Sequence, residues 1–192
     1  MRTEDLKQLI DKILTGDASA FGVIIRTHER LVRHVVFRIV NNEADREDLC
    51  QDIFIKVYRN LSKFQFESKL STWIGRIAYN TCINYLKKKR APLFEDCLTF
   101  DQPMDNYLSD LHTPEQFAVE TDLNSRLQEE IEKLPVQFRT ILTLYHLDEM
   151  SYAEIAEIMD MPDGTVKSYL FRARKQLKER LTAKYELEEL CF

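Results

Sequence analysis

The stretch SYAEIAEIMDMPDGTVKSYLFRARKQLKERL, Ser151 to Leu181, is the part of this chain that admits the fewest folds. Ser151 and Glu154 spell a capping box, which opens a short helix. Asp160-Met161-Pro162 ends that helix, and Asp163-Gly164-Thr165 starts another. On the second helix Val166, Leu170, Ala173 and Leu177 share one face, while Lys167, Ser168, Phe171, Arg172, Arg174 and Lys175 lie outside it. Small Ala156 lets the pair cross closely. A short helix, a tight turn and a basic second helix predict a helix-turn-helix, which places its second helix in the major groove. Arg and Lys read guanine there, and Phe packs on a thymine methyl. A helical hairpin with a merely solvated basic face is the plainer alternative. The coincidence of turn, caps and charge weighs against it.

The remainder also predicts helices. Four Gly and five Pro in 192 residues are too few for a turn-rich β fold. Helical periodicity covers Thr3–Leu14 and Ala18–Val40, and a turn at Asn41-Asn42 leads into EADREDLCQDIFIKVYRNL. Phe64 to Lys69 has no helical period and reads as a loop before a helix over Ser71–Arg90. Leu93 to Phe117 has neither a period nor any Lys or Arg, and reads as an acidic flexible linker. LQEEIEKLPVQFRTILTLYHL then supplies one or two helices. The expected fold is all-α: two helical domains over 1–92 and 118–184, joined by the linker 93–117 and followed by a tail, 185–192.

The net charge of −5 conceals a strong segregation. Met1 to Pro92 holds 17 Lys/Arg against 11 Asp/Glu, and Gly164 to Lys184 holds 7 against 1. Between them Leu93 to Ser125 has none against 8, and Arg126 to Asp163 has 3 against 9. Two basic modules flanking an acidic stretch suit polyanionic partners. The four cysteines (Cys50, Cys82, Cys97 and Cys191) have no metal-ligand spacing, which argues against a zinc site or disulfide framework and for a reducing, cytoplasmic setting. No metal or cofactor is expected. MRTEDLKQLIDKIL is no signal peptide, and the most apolar run, LVRHVVFRIV, is too charged to span a membrane. No nucleophile–base pair or metal cluster suggests an enzyme.

Two further helices carry specific patterns. Trp73, Arg76, Asn80, Asn84 and Lys87 fall within about 60° of one line, opposite Ile74, Ala78, Thr81, Cys82 and Tyr85. Aromatics stack on unpaired bases, amides read base edges and cations follow phosphates, so the stripe points to separated strands. A core anchor is the plainer reading of Trp73 alone. The loop Phe64–Lys69 could hold an extruded base. On Ala44 to Leu61, Leu49, Ile53, Val57 and Leu61 take one face, while Asp45, Asp48, Asp52, Ile55 and Arg59 take another with Gln51 nearby. Repelling carboxylates beside an exposed Ile suggest a protein-docking surface, with an ordinary acidic surface as the alternative.

The segments REDLCQDIFIKVYRNLSKF, STWIGRIAYNTCINYLKKKR and LPVQFRTILTLYHLDEMSYAEIAEIMDMPDGTVKSYLFRARKQLKERL, in this order, resemble the extracytoplasmic-function sigma factors of bacteria. The resemblance implies that Asp48, Gln51, Asp52 and Ile55 dock on the β′ clamp helices of core RNA polymerase. It implies that Trp73, Arg76, Asn80 and Asn84 meet the −10 element, and that Phe64, Phe66, Glu67, Ser68 and Lys69 belong to a base-capturing loop. Lys167, Ser168, Phe171 and Arg172 would read the −35 element, with Arg174 and Lys175 on phosphates. The Leu134–Leu147 helices would seat on the β flap, and the linker would run toward the nascent RNA path. An anti-sigma factor is the further implied partner, and free domains could hide their DNA faces against it or each other. Phe66 stands where many relatives have a small residue, and the tail YELEELCF is outside the pattern. A stand-alone helix-turn-helix regulator is the competing reading, but it leaves the Asp48/Asp52 face and the Trp73 stripe without a role.

Overall fold

A computed structural model describes residues 3–90 and 120–185, with the side chains of Arg90 and Glu120–Asn124 excepted. The acidic segment 91–119 and the tail from 186 lie outside the described residues. Every regular element among those described is helical: α1 (Thr3–Leu14), α2 (Ala18–Ile39), α3 (Glu43–Asn60), a 3-10 turn (Leu61–Lys63), α4 (Leu70–Arg90), α5 (Glu120–Glu132), α6 (Val136–His146), α7 (Tyr152–Met159) and α8 (Asp163–Lys184). The all-α class and the closing helix-turn-helix are as expected.

Local chemistry sets the ends. The Asp17 carboxylate accepts from Ser19 N at 2.9 Å and Ala20 N at 3.2 Å, which caps α2 and holds the Asp17 pKa down. Asn42 caps α3 through Ala44 N at 3.0 Å. Ser151 and Glu154 form both halves of the capping box. Asp160 ends α7 in the left-handed region at φ 53°. LQEEIEKLPVQFRTILTLYHL resolves into two helices because Pro135 cannot continue α5 and instead precedes α6.

Helices α1–α4 pack around Ile24, Val32, Val35, Val36, Ile53, Val57, Ile74, Ala78 and Cys82. Helices α6–α8 pack around Leu134, Ile141, Leu144, Ile155, Ile158, Val166 and Leu170. The two sets press together, α4 against α7 and α2 against α6. Gly75 is the close point: a Cβ there would lie 2.8 Å from Ile158 Cδ1. Glycine inside a helix costs about 0.5–1 kcal/mol relative to alanine, and here it admits the neighbouring side chain.

A polar ladder on α2 runs beside that contact. Arg30, His34 and Arg38 are spaced four apart and so share one face. Arg30 donates to the Leu147 carbonyl. His34 Nδ1 donates to the Asp148 carboxylate at 2.9 Å. Arg38 donates to the Thr143 hydroxyl at 3.0 Å and to the Gln128 amide oxygen. Asp148 is only 7% exposed, and burial pushes its pKa up while His34 pulls it back.

Gly75→Leu should therefore separate the two helix sets while leaving their helices intact. The expected result is an unchanged helical circular dichroism spectrum with a larger radius of gyration by small-angle X-ray scattering. Gly164→Ala, where nothing lies within 4 Å of the added Cβ, should leave both unchanged.

Candidate nucleic-acid interface

Helix α4 has the two-sided character its sequence predicts. Ile74, Ala78, Thr81 and Cys82 are buried, while Arg76, Asn80, Asn84 and Lys87 are exposed. Lys56 donates to the Thr81 hydroxyl at 3.2 Å, which satisfies that polar group in the buried face. Trp73 departs from the fully exposed stripe. It is half-buried, with its ring centroid 5.5 Å from that of Phe64. Phe64 is itself a core residue, 7% exposed, so the loop's first aromatic serves as its anchor.

The segment Phe64–Lys69 is a loop, as expected, fixed at both ends. Phe64 holds one end, and Lys69 pairs with Glu154 of α7 at 2.9 Å at the other. Between them Phe66 adopts φ 59°, a left-handed conformation unusual for a bulky side chain. Its ring lies 4.7 Å from that of Phe64, with Lys7 Nζ 5.5 Å from its centroid. Such a backbone costs about 1–3 kcal/mol, which these contacts help offset. Glu67 is exposed and Ser68 half-buried. Lys69 also lines a cavity of about 360 Å3 whose other walls include Thr27, His28, Asp148 and Glu154.

On α3, Asp48, Gln51, Asp52 and Ile55 form one exposed face without an ion pair among the described residues. Tyr58 extends that face and meets Phe21 edge-on at 5.0 Å. Asp45 lies apart from it: its carboxylate accepts from Tyr85 and, at 3.0 Å, from Lys89. Those hydrogen bonds hold its pKa down and tie α3 to α4. Cys50 and Cys82 are buried thiols, pushed up to about 11 and about 12 by desolvation, and serve as packing groups.

Helix α8 buries Val166, Leu170 and Ala173, with Leu177 half-buried. Lys167, Ser168, Phe171, Arg172, Arg174 and Lys175 all face outward, Phe171 at 69% exposure. Arg174 is engaged within the protein, donating to His146 Nε2 at 3.1 Å and lying over the Tyr145 ring at 5.0 Å. Burial and the Arg174 charge both push the His146 pKa down, which favours the neutral ring that can accept. Lys175 has a Glu179 carboxylate 3.8 Å away. The packed arrangement leaves Arg76, Asn80, Asn84 and the outer face of α8 open, so the helix sets do not hide these faces against each other.

The Sigma-70 region 2 family matches residues 24–91 and Sigma-70 region 4 matches residues 124–177. The ECF RNA polymerase sigma-E factor of Haemophilus influenzae is 37% identical over 177 residues, 90% of this chain and 93% of that protein. The ECF RNA polymerase sigma factor SigW of Bacillus subtilis is 33% identical over 180 residues, 92% of this chain and 96% of that protein. Among solved structures, CnrH in complex with the cytosolic domain of CnrY aligns with TM-score 0.65 at 20% identity, covering 92% of this chain and 97% of that one. The sigma factor RpoE in complex with the anti-sigma factor NepR from Bartonella quintana aligns with TM-score 0.63 at 21% identity, covering 86% and 98%. The fold is thus that of a sigma-70-type factor with regions 2 and 4. Within that class the chain belongs to the extracytoplasmic-function sigma factors, and its role is in transcription initiation, not that of a stand-alone regulator. No described helix is long and apolar enough to cross a membrane.

The contrast between anchors and open contacts is measurable. Phe64→Ala should cost about 3–5 kcal/mol in urea unfolding, as for other buried phenylalanines. Phe171→Ala, at an exposed site, should stay within about 0.5 kcal/mol.

Proposed function

We propose that this chain binds core RNA polymerase, brings it to a promoter and helps hold the strands apart. The observation that carries the reading is the pair of open faces on adjacent helices: Asp48, Gln51, Asp52 and Ile55 on α3, and Arg76, Asn80 and Asn84 on α4. The α3 face docks on the β′ clamp helices. Its unpaired carboxylates seek cations, and Ile55 supplies apolar area. The α4 face meets the −10 element, with Trp73 at its edge and Phe66, Glu67, Ser68 and Lys69 receiving an extruded base. A base held there cannot re-pair, so melting is driven by binding and needs no catalytic group or cofactor.

Lys167, Ser168, Phe171 and Arg172 read the −35 element, with Arg174 and Lys175 on the backbone. The Leu134–Leu147 segment, α6 with its flanking residues, seats on the β flap. Functional boundaries follow as region 2 over 1–92, an acidic linker over 93–117 and region 4 over 118–184, acting in the cytoplasm. An anti-sigma factor is a natural partner, supported by the fold shared with a sigma factor solved in complex with an anti-sigma factor.

Promoter elements centred near −10 and −35 lie about 85 Å apart on duplex DNA, at 3.4 Å per base pair. Helix α4 packs on α7, and α7 packs on α8, so the two surfaces are held in one compact body. The closed arrangement therefore has to open for both elements to be read at once. Fully extended, residues 91–119 can reach at most about 100 Å, enough for that span.

Asp52→Lys should abolish co-elution with core polymerase on gel filtration while leaving the fold unchanged. Run-off transcription from a promoter library should show Arg172→Ala losing about 1–3 kcal/mol of −35 discrimination. Asn80→Ala should impair −10 recognition more than core binding. Unchanged core affinity in Asp52→Lys, or tight duplex binding without polymerase, would contradict the proposal.

A further inference from the structure

A cleft of about 250 Å3 opens where α2, the start of α3 and the end of α5 meet, walled by Arg33, His34, Phe37, Arg38, Arg46 and Glu132. Its charges do not balance. Arg33 has Glu47 at 3.1 Å and Glu29 at 3.9 Å, and His34 has Asp148 at 2.9 Å. Arg38 has only Glu132 at 3.9 Å, and that carboxylate is 60% exposed. Arg46 donates from Nε to the Val40 carbonyl at 2.8 Å and has no carboxylate within ion-pair distance among the described residues.

The nearby Arg139 deepens the imbalance. It is 3% exposed, donates to the Glu132 carbonyl at 2.9 Å and to the Asn41 amide oxygen at 3.3 Å, and forms no ion pair among the described residues. Its Nε is buried without a partner. Burial pushes its pKa down to about 10, and the charges of Arg38 and Arg46 press the same way against Glu132 alone. Among the described residues Arg46 thus has no paired carboxylate, and the deeply buried Arg139 has only the field of Glu132 to offset its charge, a costly arrangement.

The geometry also favours a particular anion. The guanidinium groups of Arg33 and Arg46 lie over the Phe37 ring, at 5.0 and 4.7 Å from its centroid. Stacking on an aromatic face orients the planar fork of arginine, which suits it to tetrahedral oxyanions. The ring is thereby occupied and is not available to stack a base.

We infer that this cleft is a binding site for a phosphoryl anion, held by Arg38 and Arg46 and drawn by the field of Arg139. A phosphate group carries close to the two negative charges that the arginines lack. Glu132 swings outward as the anion takes its place on Arg38, a small change for an exposed side chain with one long contact. The site joins Arg38 and Arg46 of the N-terminal helices to Arg139 of α6, so occupancy favours the closed arrangement. The site itself is independent of how the chain meets a promoter.

The test is a titration of the full-length chain with inorganic diphosphate, ionic strength held constant with sodium chloride, following the arginine Nε–H resonances by NMR. Arg38 and Arg46 should shift along one saturable curve, and a nucleoside diphosphate should give the same affinity. Arg46→Gln should weaken binding by about tenfold, and Arg46→Lys, which keeps charge but loses the fork, should fall between. Three results would overturn the assignment: no saturation, shifts confined to the arginines of α8, or an unaltered curve in Arg46→Gln. Tighter binding of the nucleoside form would also overturn it, by placing recognition on a base.

Discussion

Helix α4 accepts Ile158 of α7 into a gap in its own surface, and that gap is Gly75. The rest of the arrangement depends on it. A bulky side chain there would compete with Ile158 for that gap and displace α7, and with it α8. Because α4 and α7 meet directly, the helices with the two surfaces proposed to read DNA belong to one body. Their outward faces nevertheless stay open.

The contact is of two kinds with different physical consequences. The Gly75–Ile158 knob is apolar and depends on shape. The Arg30, His34 and Arg38 ladder is polar and depends on register, since each side chain meets specific partners on the α5–α7 side. Exposed ion pairs contribute little, typically about 0–1 kcal/mol, and partly buried ones mainly penalise mismatched arrangements. A contact with so much polar character resembles the transient interfaces between domains, for which relative motion is the ordinary expectation. That is the property required of two modules that read sites far apart along a duplex. The same polar character leaves arginines with incomplete counter-charge at its edge.

The parts that were legible in the sequence were those set by near neighbours along the chain. The Ser151–Glu154 capping box and the two faces of α4 follow from spacing alone, and the structure has them; spacing leaves open whether LQEEIEKLPVQFRTILTLYHL forms one helix or two, and Pro135 divides it. The outward set on α8 follows equally from its apolar partners. The ladder on α2 was invisible for the opposite reason: Arg30 and Leu147 are 117 residues apart in sequence, and His34 and Asp148 are 114 apart. Arg30, His34 and Arg38 at four-residue spacing are the available signal, but spacing alone does not say what they meet. Gly75 gave no sign, because its reason is a neighbour on α7. Trp73 and Phe64 look exposed or mobile from periodicity, yet their rings find each other across the turn. Asp45 shares a face with Asp48 and Asp52 on a helical wheel, but Tyr85 and Lys89 claim it.

The central claim is that two surfaces held together in the free protein separate to act. Spin labels at Ser62→Cys and Lys178→Cys, both exposed positions, in a background with Cys97→Ser and Cys191→Ser, would measure it by pulsed dipolar spectroscopy. The free chain should give one short distance, and adding core polymerase with promoter DNA should lengthen it by several tens of ångströms, toward the roughly 85 Å between elements. The same short distance in the transcribing complex would contradict the account.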